Sequence, residues 1–299
     1  MGLVCVSPPL TAGSGPKASL GHHSKSDRTT DCLVLERVLH STARNKTTRY
    51  LVFIPRSAKK EKKPVLLLLH GAWDDYKAWN ARAGDLLKRL AAEEDIIILT
   101  PDGEPFGWYA DSAVTPDQNI ETYFMDELIP HIRKTLPCDG RFAIAGLSMG
   151  GHGAMVLALR NPGIFASASS MSGILDITRH PGQWKLPLVF GPFAGERVRD
   201  WRDHSALELI QRSSSGLENL ALMVSVSSED EYSRDENRDF HAKLDELGKA
   251  HVYRAKPGGH DWKFWISELP RHVRFHAGVI YSKNTGEPTR LLNNLSTDP

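Results

Sequence analysis

The sequence predicts an α/β protein built on one mostly parallel sheet with helices on both faces. Two observations support this prediction. Short, continuous apolar runs such as residues 65–69 have the composition of strands buried on both faces of a parallel sheet. Segments with apolar residues at helical spacing, such as residues 120–132, alternate with those runs along most of the chain. This alternation is typical of a sheet whose connecting helices cover its two faces.

The individual elements are predicted from their periodicity. Residues 32–41 and 47–55 alternate apolar or β-branched residues with polar ones, which indicates an antiparallel strand pair. Buried strands are expected at residues 64–69, 95–101, 141–145, 165–172, 219–226 and 250–255. Helices are expected at residues 76–93, 116–136, 149–160, 234–247 and 261–279. These segments make a sheet of about eight strands in one domain, residues 31–280.

Three segments do not follow this alternation. Residues 174–215 contain repeated prolines and glycines with scattered aromatic residues, which predicts an irregular, cap-like insertion over a site. Residues 1–30 and 281–299 have no hydrophobic periodicity, and both are expected to be disordered tails.

Composition excludes several classes of protein. The formal net charge of +1 gives no reason to expect a nucleic-acid partner, and no apolar run is long enough to span a membrane. The 3 cysteines are far apart, which argues against a disulfide framework or a cysteine-based zinc site. The histidine spacing of metal hydrolases does not occur, so neither a metal nor a cofactor is predicted. The sequence is compatible with a homo-oligomer as well as with a monomer.

The amino terminus bears on the location of the protein. It lacks the basic region and the longer apolar stretch of a signal peptide. A cytoplasmic location is therefore expected, with secretion or a periplasmic location as the alternative if a leader has been removed.

The strongest chemical signal is the sequence Gly-Leu-Ser-Met-Gly at residues 146–150. It follows a predicted strand and opens a predicted helix, which is the context of the G-x-S-x-G nucleophile elbow. We expect Gly146 and Gly150 to be required because so tight a turn leaves no space for their side chains. Ser148 would then stand above the sheet with its hydroxyl open to a substrate. A glycine-rich helix start with an incidental serine is the alternative.

A serine nucleophile needs a base, and the base needs an acid that orients it. His260 follows the last predicted strand in a glycine-rich loop that can reach back over the sheet, so it is the predicted base. The acid is expected in the loop after the preceding strand. Asp230 is favoured there, with Glu229 and Glu231 as alternatives, and a solvated acidic loop is the non-catalytic interpretation. The late histidines within predicted helices are expected to be packed or solvated: His241, His272 and His276.

The tetrahedral intermediate of acyl transfer also needs hydrogen-bond donors for its oxyanion. The backbone N–H of Met149, at the start of a helix, is one predicted donor. The other is expected in the loop after residues 65–69, from the Ala72 N–H or, as second choice, the Trp73 N–H. His70 in this loop is expected to have a structural role. Substrate contacts are predicted for four tryptophans: Trp73, Trp108, Trp184 and Trp262.

Six stretches of the chain together resemble a known family. LLLLHGAW, TPDG, GWYADS, ETYFMDELIPHI, AIAGLSMGG and KPGGHDWKFW occur in this order between residues 32 and 280. They are similar to the esterase D-like family of α/β-hydrolases, which includes S-formylglutathione hydrolases, acetylxylan and feruloyl esterases, and mycolyltransferases. The resemblance implies an α/β-hydrolase fold with a catalytic triad at Ser148, Asp230 and His260.

The leading interpretation is a serine-dependent carboxylic ester hydrolase that forms an acyl-enzyme with short-acyl esters, carbohydrate-linked ones among them. Its partner would be a small-molecule ester or thioester. The main alternative, an S-formylglutathione hydrolase, would use the same residues; acyl transfer and a catalytically inactive binding module are further alternatives. The family pattern is not followed at residues 226–228, before the acid, or at residues 74–75, at the mouth of the predicted site.

Overall fold

The computed structural model describes residues 31–212 and 217–282, which form an eight-stranded sheet between two layers of helices. The strands are β1 (Cys32–Ser41), β2 (Lys46–Pro55), β3 (Lys63–Leu69), β4 (Ile97–Pro101), β5 (Cys138–Leu147), β6 (Phe165–Met171), β7 (Ala221–Ser227) and β8 (Val252–Lys256). Their order across the sheet is β1-β2-β4-β3-β5-β6-β7-β8. The pairs β1–β2 and β2–β4 are antiparallel, and the other neighbouring strands are parallel. The predicted α/β architecture is confirmed.

The helices divide between the two faces of the sheet. They are α1 (Ala78–Glu93), α2 (Ile120–Thr122), α3 (Ile129–Thr135), α4 (Met149–Arg160), α5 (Pro187–Phe190), α6 (Arg197–Asp203), α7 (Ala206–Arg212), α8 (Arg234–Glu246) and α9 (Trp262–Ser282). Helices α1 and α9 cover one face, while α3, α4, α7 and α8 cover the other. A π-helical turn, Tyr123–Leu128, joins α2 to α3.

Strand β3 shows why the central strands are hydrophobic throughout. Val65, Leu67 and Leu69 belong to the core cluster under α4, while Leu66 and Leu68 belong to the cluster under α1 and α9. All five side chains are 0% exposed. Because helices cover both faces of a parallel sheet, successive side chains of the strand enter two different cores and each must be apolar.

Several predicted boundaries differ from the structure by a few residues, and two of the differences have a clear physical reason. The helix predicted to start at residue 116 starts at Ile120, because the preceding residues form a turn in which the Ser112 N–H donates to the Gln118 carbonyl oxygen. The tail predicted at 281–299 is wrong for its first two residues, which belong to α9; the Tyr281 hydroxyl donates to the Asp95 carbonyl oxygen at 2.7 Å. The rest of that tail and the tail predicted at 1–30 lie outside the described residues.

The predicted cap-like insertion, residues 174–215, is more regular than its sequence suggests. Its described part contains α5, α6 and α7. The Phe190 ring of α5 packs against the Trp201 ring of α6, with the ring centroids 5.6 Å apart. Helix α7 packs against α4 and α8, so it belongs to the layer that covers the sheet. Helices of four to seven residues make at most two turns, which is too short for a hydrophobic period to stand out in the sequence.

A buried chain of hydrogen bonds fastens α9 to the sheet. Ser225 Oγ lies 2.8 Å from His272 Nε2, and His272 Nδ1 lies 2.8 Å from Ser169 Oγ. Ser169 Oγ continues to His276 Nε2 at 2.7 Å, and His276 Nδ1 reaches Ser167 Oγ at 2.7 Å. All five side chains are fully buried. The expectation that the helical histidines are packed therefore holds for His272 and His276.

Two remaining sequence predictions concern the membrane and the cysteines. Among the residues the structure describes, no helix is long and apolar enough to cross a membrane. Cys32 and Cys138 are free thiols, and Cys5 lies outside the described ranges.

Acidification should destabilise the fold through the buried imidazoles of His272 and His276. Burial lowers the pKa of His272 to about 4 and lowers the pKa of His276 well below the ordinary value near 6.5. Below pH ~6.5 these imidazoles therefore bind protons in the unfolded chain but stay neutral in the folded chain. Each group then lowers the free energy of unfolding by up to ~1.4 kcal/mol per pH unit. Above that pH their contribution is constant.

Urea unfolding between pH 4.5 and pH 7.5 measures this slope. His272→Gln should reduce the slope by the share of one group, while His40→Gln, an exposed control on β1, should leave it as in the wild type. The explanation fails if His272→Gln and the wild type lose stability equally on acidification.

Candidate active site

The predicted site residues meet at the carboxyl edge of the sheet. Ala72 follows β3 and Ser148 follows β5, which is the neighbour of β3. Asp230 follows β7, and His260 follows β8. Loops after neighbouring parallel strands leave the sheet at the same edge, which is where ligands bind in open α/β sheets.

The backbone at Ser148 is held in a conformation that L-residues rarely adopt, with φ 50° and ψ −119°. Its N–H donates to the Met171 carbonyl oxygen at 2.9 Å, so the end of β6 supports the turn. A Cβ at Gly146 would lie 2.3 Å from the carbonyl carbon of Gly150. A Cβ at Gly150 would lie 2.5 Å from the His70 carbonyl oxygen. Glycine is therefore required at both positions, as the sequence predicts.

Ser148, His260 and Asp230 form a continuous chain of hydrogen bonds. Ser148 Oγ lies 2.9 Å from His260 Nε2, and His260 Nδ1 lies 2.7 Å from Asp230 Oδ2. Because a carboxylate only accepts, the proton of the neutral imidazole lies on Nδ1 and the Nε2 lone pair faces the serine hydroxyl. This is the arrangement that can remove the hydroxyl proton from a serine.

The surroundings of Asp230 keep its carboxylate ionised and fixed. Burial alone would raise the pKa of Asp230, but hydrogen bonds from His260 and Ser233 outweigh burial and lower it. Oδ1 accepts from the N–H groups of Tyr232 and Ser233, and Oδ2 accepts from the Ser233 hydroxyl at 2.8 Å. The alternatives considered from the sequence, Glu229 and Glu231, are exposed to solvent, so the structure brings only Asp230 of the three to the imidazole.

Ala72 and Met149, the two predicted oxyanion donors, line the same cavity as Ser148. Met149 is the first residue of α4, whose first-turn N–H groups have no partner within the helix. The Trp73 N–H is already engaged, since it donates to the Pro105 carbonyl oxygen at 3.0 Å. The Ala72 N–H has no backbone acceptor among the described residues, so the geometry favours Ala72 over Trp73.

His70 holds the loop that carries Ala72. Its Nε2 accepts from the Gly103 N–H at 3.0 Å, and its Nδ1 lies 2.8 Å from the Gly71 carbonyl oxygen. The Tyr109 hydroxyl donates to the His70 carbonyl oxygen at 2.9 Å. Both ring nitrogens are occupied by the backbone, and His70 therefore joins two loops of the site.

The comparison with protein families agrees with this geometry. A family described as "Putative esterase" matches residues 41–276, which is most of the chain. The chain belongs to this esterase family. The predictions of an α/β-hydrolase fold and of a serine-dependent carboxylic ester hydrolase are thereby confirmed.

Several solved structures share the fold of this esterase. A ferulic acid esterase is 28% identical, with a TM-score of 0.72, over 83% of this chain and 98% of that one. An S-formylglutathione hydrolase from Agrobacterium tumefaciens is 21% identical, with a TM-score of 0.74, over 83% and 95%. MPT51 (FbpC1) of Mycobacterium tuberculosis is 17% identical, with a TM-score of 0.67, over 83% and 99%. The last two similarities speak for the fold alone.

Two cavities of the esterase meet at Ser148. The smaller one, which we name the inner cavity, has a volume of about 150 Å³. Its lining consists of Ala72, Trp73, Trp108, Ser148, Met149, Ile174, Trp184, Tyr232 and His260. The larger one, which we name the outer cleft, has a volume of about 450 Å³. Its lining consists of Gly71, Ala72, Trp73, Asp74, Arg82, Leu147, Ser148, His260, Asp261, Trp262 and Trp265.

The four predicted tryptophans are divided between these cavities. Trp108 and Trp184 line the inner cavity, and the Trp108 indole N–H donates to the Trp184 carbonyl oxygen at 3.1 Å. Trp262 lines the outer cleft under the Arg82 guanidinium, whose central carbon lies 4.5 Å from the Trp262 ring centroid. Trp73 is 70% exposed and borders both.

Several lining residues were not predicted from the sequence. Tyr232 contacts both the His260 ring, at a centroid distance of 5.4 Å, and the Trp184 ring, at 6.0 Å. Its position two residues after Asp230 is a sequence signal that could have indicated it. Ile174 and Arg82 carry no comparable signal, because only the tertiary fold brings them to the site.

Gly146→Ala should impair both the fold and the turnover of the esterase. The new methyl group would overlap the backbone of Gly150, and relieving such overpacking typically costs ~1–3 kcal/mol and would move Ser148. Gly182→Ala is the matched control, since a Cβ there meets nothing within 4 Å. Thermal unfolding and hydrolysis of p-nitrophenyl acetate report the two effects. Wild-type behaviour of Gly146→Ala would contradict the steric argument.

Proposed function

We propose that Ser148, His260 and Asp230 are the catalytic triad of this esterase and that it hydrolyses its ester through an acyl-enzyme. The observation that carries the proposal is the pair of hydrogen bonds, 2.9 and 2.7 Å long, that links the three side chains. A structural hydrogen-bond chain would not need a strained backbone beneath its serine. At Ser148 the strain instead supports a nucleophile held at the junction of two cavities.

Acylation follows from the positions of the protons. As Ser148 Oγ bonds to the ester carbonyl carbon, its proton passes to His260 Nε2, and Asp230 stabilises the imidazolium that results. The carbonyl oxygen becomes negative and accepts hydrogen bonds from the Ala72 and Met149 N–H groups. When the tetrahedral intermediate collapses, the bond to the alcohol oxygen breaks and His260 gives that oxygen the proton. The acyl group remains on Ser148.

Deacylation repeats these steps with water. His260 Nε2 takes one proton from a water molecule as the water oxygen bonds to the acyl carbon. The second tetrahedral intermediate uses the same two N–H groups. Its collapse breaks the bond to Ser148 Oγ, which recovers its proton from His260, and the carboxylic acid leaves.

The dimensions of the inner cavity support a short acyl group as the substrate of the esterase. An apolar cavity of about 150 Å³ holds roughly one benzene molecule, and the inner cavity has this volume with a largely aromatic lining. A short aliphatic acyl group or a single aromatic ring would fill it. A formyl group would leave most of it empty, so this observation favours carboxylic esters over S-formylglutathione.

The outer cleft supports a polar alcohol as the leaving group. Asp74, Arg82 and Asp261 supply charged hydrogen-bonding groups along it, and Trp262 and Trp265 supply aromatic surface. Asp74 and Arg82 form an ion pair with an oxygen–nitrogen distance of 3.2 Å, which leaves the charges of the cleft nearly balanced. A neutral, hydroxyl-rich alcohol such as a carbohydrate fits this surface.

Removal of any member of the triad should abolish hydrolysis. Ser148→Ala, His260→Gln and Asp230→Asn should each lower kcat for p-nitrophenyl acetate by roughly 10⁴-fold or more, since the three act as a unit. Glu229→Gln and Glu231→Gln, which change exposed carboxylates, should stay near wild type. Circular dichroism checks that each variant is folded. Turnover by folded Ser148→Ala, or an equal loss in Glu229→Gln, would refute the assignment.

The two cavities should respond separately to truncation. Trp184→Ala enlarges the inner cavity, so the ratio of kcat/KM for p-nitrophenyl octanoate over acetate should rise by ~10-fold. Trp262→Ala alters the outer cleft and should leave that ratio unchanged while raising KM for acetylated sugars. Kinetics on a panel of acetyl, octanoyl and feruloyl esters, acetylated sugars and S-formylglutathione measures both. If Trp262→Ala instead shifted the acyl preference, the assignment of the cavities would be reversed.

A further inference from the structure

Three side chains that commonly bind metals meet at the opposite edge of the sheet from Ser148. His241 and Asp245 lie one turn apart near the carboxyl end of α8, and His251 immediately precedes β8. Each side chain offers one possible ligand atom, and these three atoms lie within 4.8 Å of one another. His251 Nε2 is 2.7 Å from His241 Nδ1, and His241 Nε2 is 3.5 Å from Asp245 Oδ2.

The two imidazoles are oriented by groups around the cluster. His251 Nδ1 lies 2.8 Å from the Lys249 carbonyl oxygen, so Nδ1 carries the proton and the Nε2 lone pair points into the cluster. The His241 ring stacks on Tyr253, with centroids 4.1 Å apart and an angle of 4° between the planes. Hydrogen bonds from the second ring nitrogen to a carbonyl oxygen are the usual way in which proteins fix a metal-binding histidine.

We propose that His241, Asp245 and His251 bind a zinc ion. Two neutral imidazoles and a carboxylate are ligands that zinc prefers, and a partly exposed site allows water to complete the tetrahedron. Tetrahedral coordination at the usual zinc–nitrogen distance needs ligand nitrogens ~3.4 Å apart. The two ring nitrogens, now at hydrogen-bond distance, would separate by less than an ångström, and the proton between them would move from His241 Nδ1 to His241 Nε2. Asp245 is the most exposed of the three side chains and is free to turn towards the ion.

The proposed ion would join two elements at a weak point of the sheet. Strand β8 has five residues and pairs with β7 along one side, as the edge strand of the described sheet. Zinc would fasten the start of β8 to the end of α8 across the turn at residues 247–250. Since Asp230 precedes α8 and His260 follows β8, at the other ends of these elements, the expected effect is on stability and not on turnover.

Calorimetric titration of the metal-free full chain with zinc chloride tests the site. The wild type should bind one zinc ion that His251→Ala and Asp245→Asn lose or bind at least ~10-fold more weakly. His40→Ala, an exposed histidine on β1, is the matched control and should bind as the wild type does. Cobalt should give the visible absorption of a tetrahedral ion in the wild type and not in His251→Ala.

Two further measurements complete the test. Zinc should raise the Tm of the wild type and of His40→Ala but not that of His251→Ala, while all three hydrolyse p-nitrophenyl acetate equally. The adjacent histidines at positions 22 and 23, outside the described residues, are the competing ligands. The proposal is overturned if the double variant His22→Ala/His23→Ala loses zinc binding, or if His251→Ala retains it. Neither outcome would affect the assignment of the triad.

Discussion

The close approach of three backbone segments beneath Ser148 is the constraint on which the site depends. Gly146 at the end of β5 touches the backbone of Gly150 in α4, and Gly150 in turn touches the His70 carbonyl oxygen after β3. This contact fixes α4 against two neighbouring strands. It thereby brings Ala72, in the loop after β3, and Met149, at the start of α4, to the same cavity as the serine. Larger side chains at either glycine would separate all of these groups at once.

Helix α8 links the acid to the wall of the inner cavity. Its Glu236 is buried and accepts hydrogen bonds from the N–H groups of Leu175 and Asp176, and burial raises the pKa of this carboxyl to about 7. Asn237 donates to the Gly173 carbonyl oxygen at 2.7 Å. The loop that these bonds hold contains Ile174. The same helix starts directly after the turn of Asp230, so the orientation of the base and the shape of the inner cavity share one support.

The sheet and the three residues of the proposed triad could be predicted because both follow local rules. Buried parallel strands must be apolar throughout, and serine chemistry requires a base and an acid after particular strands. The short helices before α7, the walls formed by Ile174 and Arg82, and the bonds of His272 and His276 could not be predicted, because they depend on contacts between distant segments. The cluster of His241, Asp245 and His251 could not be predicted for the same reason. His251 lies beyond the helix and has no characteristic spacing from the other two residues.

The junction of the inner cavity and the outer cleft has a consequence for the order of events during turnover. Under the proposed assignment of the two cavities, the acyl group stays bonded to Ser148 in the narrow cavity, and the alcohol departs through the wider cleft while the acid portion is still attached. The vacated cleft then becomes the entry route for the attacking water. A bulky alcohol that lingers there would delay hydration of the acyl-enzyme, and a second alcohol entering by that route would compete with water for the acyl group.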